Sequence, residues 1–265
     1  MSYLKQRLQD DGIDADLIER YMGDPSFRIV PELLKINIKQ SNGKLGYDRF
    51  IGTTSVKTAA KFLDRNRETM NRVLEGSRVD AEVVAAIFQV ESGLGSYTGK
   101  ESLLNIFASL TLLDNEQLEI AAPDFWRKTL AGAPKKDSVS ARKKVMKKAE
   151  KKAKWAYKQL LAVFRMAEKG EIDPWAMGSW AGAYGLPQFI PTSIQAYGKD
   201  GNGDGKLDLN NLEDAVASAA NYLGKHGYSP KSRNKRKKAI RAYNHSDAYV
   251  DCIMTLAHRI RYYER

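Results

Sequence analysis

The chain of 265 residues has a single cysteine, Cys252, which excludes an intrachain disulfide and leaves too few thiolates for a structural zinc site. Cys252 lies in an apolar helical run with Ile253, Leu256 and Ile260, where a small core residue is expected rather than a nucleophile. No apolar stretch is long enough to cross a bilayer, so no transmembrane segment is expected. Residues Met1 to Asp10 show neither an apolar core nor a small-residue cleavage site, and no lipid-attachment cysteine stands near the start, so no export signal or anchor is visible. The three histidines, His226, His245 and His258, lack zinc-ligand spacing, which makes His245 and His258 polar or packing residues. Series of alternating apolar and polar residues are also missing, which argues against an extensive β-sheet.

What the chain has in excess is positive charge, +11 overall, and its distribution matters more than its size. Residues 135 to 158 hold eleven Lys/Arg against two acids, and residues 229 to 242 hold seven against none, leaving −5 for the remainder. In the first segment Val145, Ala149, Ala153, Ala156, Leu160, Val163 and Ala167 recur at helical spacing, which predicts an amphipathic helix with a lysine-rich outer face. A solvated face and an anion-binding surface both fit this pattern. No zinc finger, RNA-recognition signature or other reading module accompanies the charge, so a specific nucleic-acid partner is not expected.

A mainly α fold follows, with helices expected over Ile13 to Met22, Val56 to Leu74, Ala81 to Val90, Ala141 to Lys169, Leu212 to His226 and Ala248 to Tyr263. Asp80 is placed to N-cap the third of these. Breakers at Ala131 to Pro134 and Lys169 to Pro174 frame the lysine-rich helix as an insertion at about 131–170 within a single domain spanning 1–265.

Three stretches carry candidate chemistry. In the first, Val83 to Gly95, a lone carboxylate, Glu91, ends an almost wholly apolar helix. The helix dipole and partial burial there both favour the protonated acid. Such a group is a potential proton donor, although a glutamate at a helix end is more often structural. Nearby Gly99-Lys100 imitates a phosphate-binding loop, but the required earlier glycine is Leu94 and Glu101 follows the lysine, so that reading fails.

The second stretch, Gly178 to Pro191, mixes glycines with aromatics and places Ser179 and Gln188 to hydrogen-bond hydroxyl or acetamido groups. A tight packed turn explains it equally well. In the third, Asp200, Asn202, Asp204 and Asp208 fall at loop positions one, three, five and nine with Gly205 at six, the opening of an EF-hand-like calcium loop. The usual closing glutamate is absent, for position twelve is Asn211, with Glu213 and Asp214 further on. A metal-free Asx-Gly turn is the alternative.

In this order the motifs Val90-Glu91-Ser92-Gly93-Leu94-Gly95, Gly178 to Pro191, Asp200 to Asp208 running into Asp214 to Leu223, and Tyr243-Asn244-His245-Ser246 resemble the membrane-bound lytic transglycosylase B family. The resemblance covers roughly residues 47 to 262 apart from the lysine-rich segment. It implies a lysozyme-like helical core that cuts the β-1,4 bond between N-acetylmuramic acid and N-acetylglucosamine in peptidoglycan. Glu91 would protonate the glycosidic oxygen and then, as base, take the C6 hydroxyl proton to give a 1,6-anhydro product. The substrate acetamido group would replace the second carboxylate that ordinary glycosidases use.

Ser179, Gln188, Tyr243 and Asn244 match sugar-groove positions. Asp200, Asn202, Asp204, Lys206 through its carbonyl, Asp208 and Asp214 match a lengthened loop for structural Ca²⁺, with Asp214 as the closing carboxylate. A monomer in the bacterial periplasm or cell envelope is expected, with the basic segment resting on anionic wall polymer. A hydrolytic muramidase and a non-catalytic wall-binding module are the competing readings.

Overall fold

The computed structural model describes residues 2–34, 46–114 and 138–263, with the side chains of 114 and 138–142 left out. The first part of the lysine-rich stretch, 131–137, falls outside them. The chain divides into two compact units. One contains Met1–Gly43, Gly99–Ala183 and Ile190–Thr192, and the other Lys44–Thr98, Tyr184–Phe189 and Ser193–Arg265.

The first unit contains α1 (Ser2–Asp10), α2 (Ala15–Met22), β1 (Glu101–Ser102), α6 (Leu103–Thr111), α7 (Ser138–Glu168) and β2 (Met177–Gly178). Every residue of α6 is buried, and α7 packs along it. Ala149, Ala153, Ala156, Leu160 and Val163 of the predicted stripe are buried, and Phe164 and Met166 widen that face toward the C-terminal end. Each large apolar side chain so enclosed contributes roughly 1.5–3 kcal/mol. Lys143, Lys144, Lys147, Lys148, Lys151, Lys154 and Lys158 lie on the exposed side of α7, as its period requires, whereas Lys152 is half-buried over the Trp155 ring. β1 and β2 form one antiparallel pair, Glu101 opposite Gly178 and Ser102 opposite Met177, the only named strands among the described residues.

The second unit is built around α5 (Ala81–Ser92), whose residues Val83 to Phe88 are all buried. A helix apolar on every side must be surrounded, and α3 (Thr53–Arg65), α4 (Arg67–Leu74), α9 (Leu212–Lys225) and α11 (Asp247–Arg261) pack against it. α8 (Pro191–Tyr197) begins in the first unit and ends in this one, and α10 (Arg233–Tyr243) packs on α11.

Two local expectations fail. The run Val56 to Leu74 is two helices, because Asn66 leaves helical geometry (φ −111°, ψ 13°) and its side-chain amide donates to the Phe62 carbonyl at 2.8 Å. Asp80 does occupy the N-cap position of α5, but its carboxylate makes no cap bond. It accepts instead from the Tyr228 hydroxyl at 2.6 Å and from Arg261 at 3.0 Å.

Candidate active site

Glu91 is the last carboxylate of α5, one residue before the helix ends. Gly93 takes the left-handed conformation (φ 58°) that a terminating residue needs, and the Leu94 amide returns to the Phe88 carbonyl at 3.0 Å. Ser92, buried beside it, donates to the Leu186 carbonyl at 2.9 Å and accepts from the Gly95 amide at 3.0 Å. The helix end carrying Glu91 is thereby pinned to the turn Tyr184–Phe189. That turn closes on itself through Tyr184 N to Phe189 O (2.9 Å) and Phe189 N to Tyr184 O (3.1 Å).

Desolvation against the apolar helix pushes the Glu91 carboxyl up to about 7, opposed by a hydrogen bond from the Tyr249 hydroxyl to Oε1 at 2.7 Å. Burial also holds the Tyr249 and Tyr243 hydroxyls well above the usual phenol range, and the negative charge of Glu91 adds to both. Tyr249 therefore stays a neutral donor across the range in which Glu91 titrates. The rings of Tyr243 and Tyr249 stack with centroids 6.5 Å apart, and Tyr47 meets Tyr249 edge-on at 5.9 Å. The result is one ionisable acid set among three phenols, with a proton that is mobile near neutral pH.

Of the residues read from the sequence, Tyr243 joins this group, and its hydroxyl donates to the Pro187 carbonyl. Gln188 sits in the same turn at φ 51°, its amide nitrogen donating to the Gly185 carbonyl at 2.9 Å. Asn244 lies beside the Tyr47 hydroxyl, opposing the rise that burial and the charge of Glu91 impose on that phenol. Ser179 belongs to the other unit, where its hydroxyl accepts from the Ala183 amide at 3.2 Å. Tyr249 and Tyr47 are missing from the sequence-based set. Cys252 is buried, contacts the Tyr47 carbonyl at 3.7 Å and is pushed up to about 11 by desolvation, which makes it an inert packing group.

The loop after α8 folds its side chains onto its own backbone. Asp200 accepts from the amides of Gly203 (2.6 Å), Asp204 (3.2 Å) and Gly205 (2.7 Å), and Asp204 from Lys206 at 2.8 Å. Asp214, fully buried, receives Gly201 N and Asp208 N, both at 2.8 Å, and Asp208 accepts from the Tyr184 hydroxyl at 2.5 Å. Glu213 turns away to pair with Arg72. Every donor is an oxygen, the chemistry that suits a hard cation. Among the described residues, however, no three His, Cys, Asp or Glu side chains are gathered closely enough to hold a metal ion.

The helical fold defines the class, and solved structures share that fold. Over 98% of this chain and 78% of theirs, the fold matches SltB3 from Pseudomonas aeruginosa in complex with NAG-anhNAM-pentapeptide (TM-score 0.74, 21% identity). It also matches the Escherichia coli lytic transglycosylase SLT35 in complex with calcium, over 98% of this chain and 91% of that one (TM-score 0.71, 20% identity). The family model described as the transglycosylase SLT domain matches residues 1–237, and the chain belongs to this family, with membrane-bound lytic transglycosylase B. The membrane-bound lytic murein transglycosylase B of Escherichia coli (strain K12) is 26% identical over 181 residues. That match takes in 68% of this chain and spans 40% of the length of the relative.

Proposed function

We propose that the protein is a peptidoglycan lytic transglycosylase that cleaves the β-1,4 bond between N-acetylmuramic acid and N-acetylglucosamine. The observation that carries this reading is the Glu91 carboxyl, held at about 7 under the Tyr249 hydroxyl at the end of an apolar helix. A group with that pKa is protonated often enough to serve a leaving oxygen and, once ionised, basic enough to recover a proton. Glu91 first donates to the glycosidic oxygen. It then removes the C6 hydroxyl proton of the muramic sugar as that oxygen bonds to the anomeric carbon, leaving a 1,6-anhydro end.

Gln188, Tyr243 and Asn244 hold the sugar in this reading, supported for Tyr243 by its proximity to Glu91 and for Gln188 by its place in the turn to which the helix end is pinned. Ser179 is assigned to the substrate on resemblance alone. Family membership supports a place of action at the cell envelope, and no helix among the described residues is long and apolar enough to cross a membrane.

Mass analysis of products from purified sacculi tests the function. Muropeptides lighter than the hydrolytic products by one water are expected. Products carrying a free reducing end identify a muramidase using the same acid, and intact sacculi identify a binding module.

The loop 200–214 is proposed to hold structural Ca²⁺ through Asp200, Asn202, Asp204, the Lys206 carbonyl, Asp208 and Asp214. The all-oxygen donor set and the buried Asp214 carboxyl support it. The bound cation would supply fixed positive charge to a loop tied through Asp208 to Tyr184. At Ca²⁺ about 100-fold above Kd the stabilisation is about 2.7 kcal/mol, raising the melting temperature by about 5 °C or more over a chelator-treated sample. Calorimetry should show this rise abolished in Asp214→Asn. Equal melting temperatures with and without Ca²⁺ sink the assignment.

A further inference from the structure

The basic stretch 229–242 takes no part in the proposed chemistry, yet the fold gives it a definite setting. It forms most of α10, and Arg233, Arg236 and Lys237 line a cleft of about 800 Å³ together with Arg259 and Arg261 of α11. Asp80 and Asp251 are the acids in its lining, and both are already engaged. Asp251 pairs with Lys237 at 2.8 Å, and Asp80 with Arg261 at 3.0 Å and the Tyr228 hydroxyl at 2.6 Å.

Three guanidiniums are left over. Among the described residues Arg233 and Arg236 have no ion-pair partner, and Arg259 donates only to the Ile51 carbonyl. Arg236 is the most informative of them. Its Nε is sealed from solvent with no acceptor, and no bond from its other two nitrogens to a described residue is present. A buried, unsatisfied donor on a charged group is costly, and an anion on the two Nη nitrogens would offset part of that by neutralising the guanidinium's charge. The carboxyl of Asp251 is held below its usual range by Lys237 first, with Arg233 and Arg241 contributing, which reports the positive field on this face.

We propose that this cleft is an oxyanion site for phosphoryl groups, separate from the Glu91 centre. Several guanidiniums without a contact ion pair, on two helices, suit a ligand whose oxygens point in several directions. A lone carboxylate presents one planar edge and satisfies one fork. The volume far exceeds a single phosphate, so consecutive groups along a phosphate-bearing polymer fit better than a free ion, although both share the recognition chemistry.

The test uses the full chain at low ionic strength, where such contacts are least screened, with inorganic phosphate and long-chain polyphosphate titrated separately by calorimetry. The double variant Arg233→Gln/Arg236→Gln should weaken polyphosphate binding at least about tenfold while leaving sacculus cleavage unchanged. A second variant on the exposed face of α7, Lys147→Gln/Lys151→Gln/Lys158→Gln, should leave polyphosphate affinity near that of the unmodified chain. If the double variant misfolds, Arg233→Gln alone carries the test, because this exposed side chain is not bonded to any described residue. Parallel loss for inorganic phosphate shows that a free ion suffices, and loss for polyphosphate alone identifies the polymer; both support the site. Unchanged affinity in the arginine variants, or an equal loss in the lysine variant, overturns it in favour of diffuse attraction to a basic protein.

Discussion

Replacing Glu91 by Gln is expected to lower glycan cleavage by about 10³–10⁴-fold while leaving glycan binding within about twofold of the unmodified protein. The amide keeps the size and polarity of the acid and loses only the proton traffic, so the effect falls on kcat rather than KM. The rate of the unmodified protein should fall as pH rises through about 7, because the donor form of Glu91 is lost there. Tyr249→Phe removes the bond that lowers this pKa and should move the alkaline limb upward, a shift that general loss of structure would not produce.

Stability provides an independent reading of the same group. A carboxyl whose folded pKa lies above its unfolded value of about 4.5 favours folding at acid pH, and that contribution disappears as pH rises from about 4.5 through 7. Glu91→Gln has no such titration. It should gain on the unmodified protein over this window by on the order of 1–3 kcal/mol, less than the full shift implies because the side chain retains some solvent access. Denaturant melts at pH 5 and 8 would measure it, and a parallel stability profile for the two proteins would remove the raised pKa from the mechanism. Full lytic activity in Glu91→Gln would remove the mechanism itself.

The placement of Glu91 at the end of a buried helix was legible because an apolar run ending in one carboxylate and a glycine is a local pattern. The group that tunes it was not. Tyr249 lies 158 residues further on, and in a helix whose Val250, Ile253 and Leu256 are buried, a tyrosine reads as one more core residue. Helix α6 escaped for a related reason. It is buried on all sides, so it shows no apolar–polar alternation and leaves no 3.6-residue signal. Helix α10 failed in the opposite sense, since only Ala239 and Ile240 are buried and its charge obscured any stripe. The long lysine-rich helix was the easiest to read, having one narrow face of alanines and larger apolar residues set against continuous charge. The break at Asn66 depended on a single side chain bonding back to the Phe62 carbonyl, a choice that composition does not announce.

Gly185→Ala should be the most damaging single-methyl change near Glu91. Gly185 stands at φ +72°, and a Cβ there would lie 2.3 Å from Leu209 Cβ and 2.4 Å from the Leu209 carbonyl oxygen. Leu209 is fully buried and its carbonyl already accepts the Leu186 amide at 2.8 Å, so neither side can yield without breaking that contact. The left-handed backbone costs about 1 kcal/mol for alanine and forced overpacking a further 1–3 kcal/mol, together a fall of roughly 5–15 °C in melting temperature. Gly227→Ala separates the two contributions, because its φ is +77° but no atom lies within 4 Å of the added Cβ. It should lose about 1 kcal/mol and keep its activity. Gly185→Ala should lose activity beyond its loss of stability, because the same turn supplies the carbonyls that Ser92 and Tyr243 bind and positions Gln188. Assayed well below its melting temperature, a Gly185→Ala protein that cleaves sacculi at the unmodified rate would show that the turn's geometry is not needed to position Glu91.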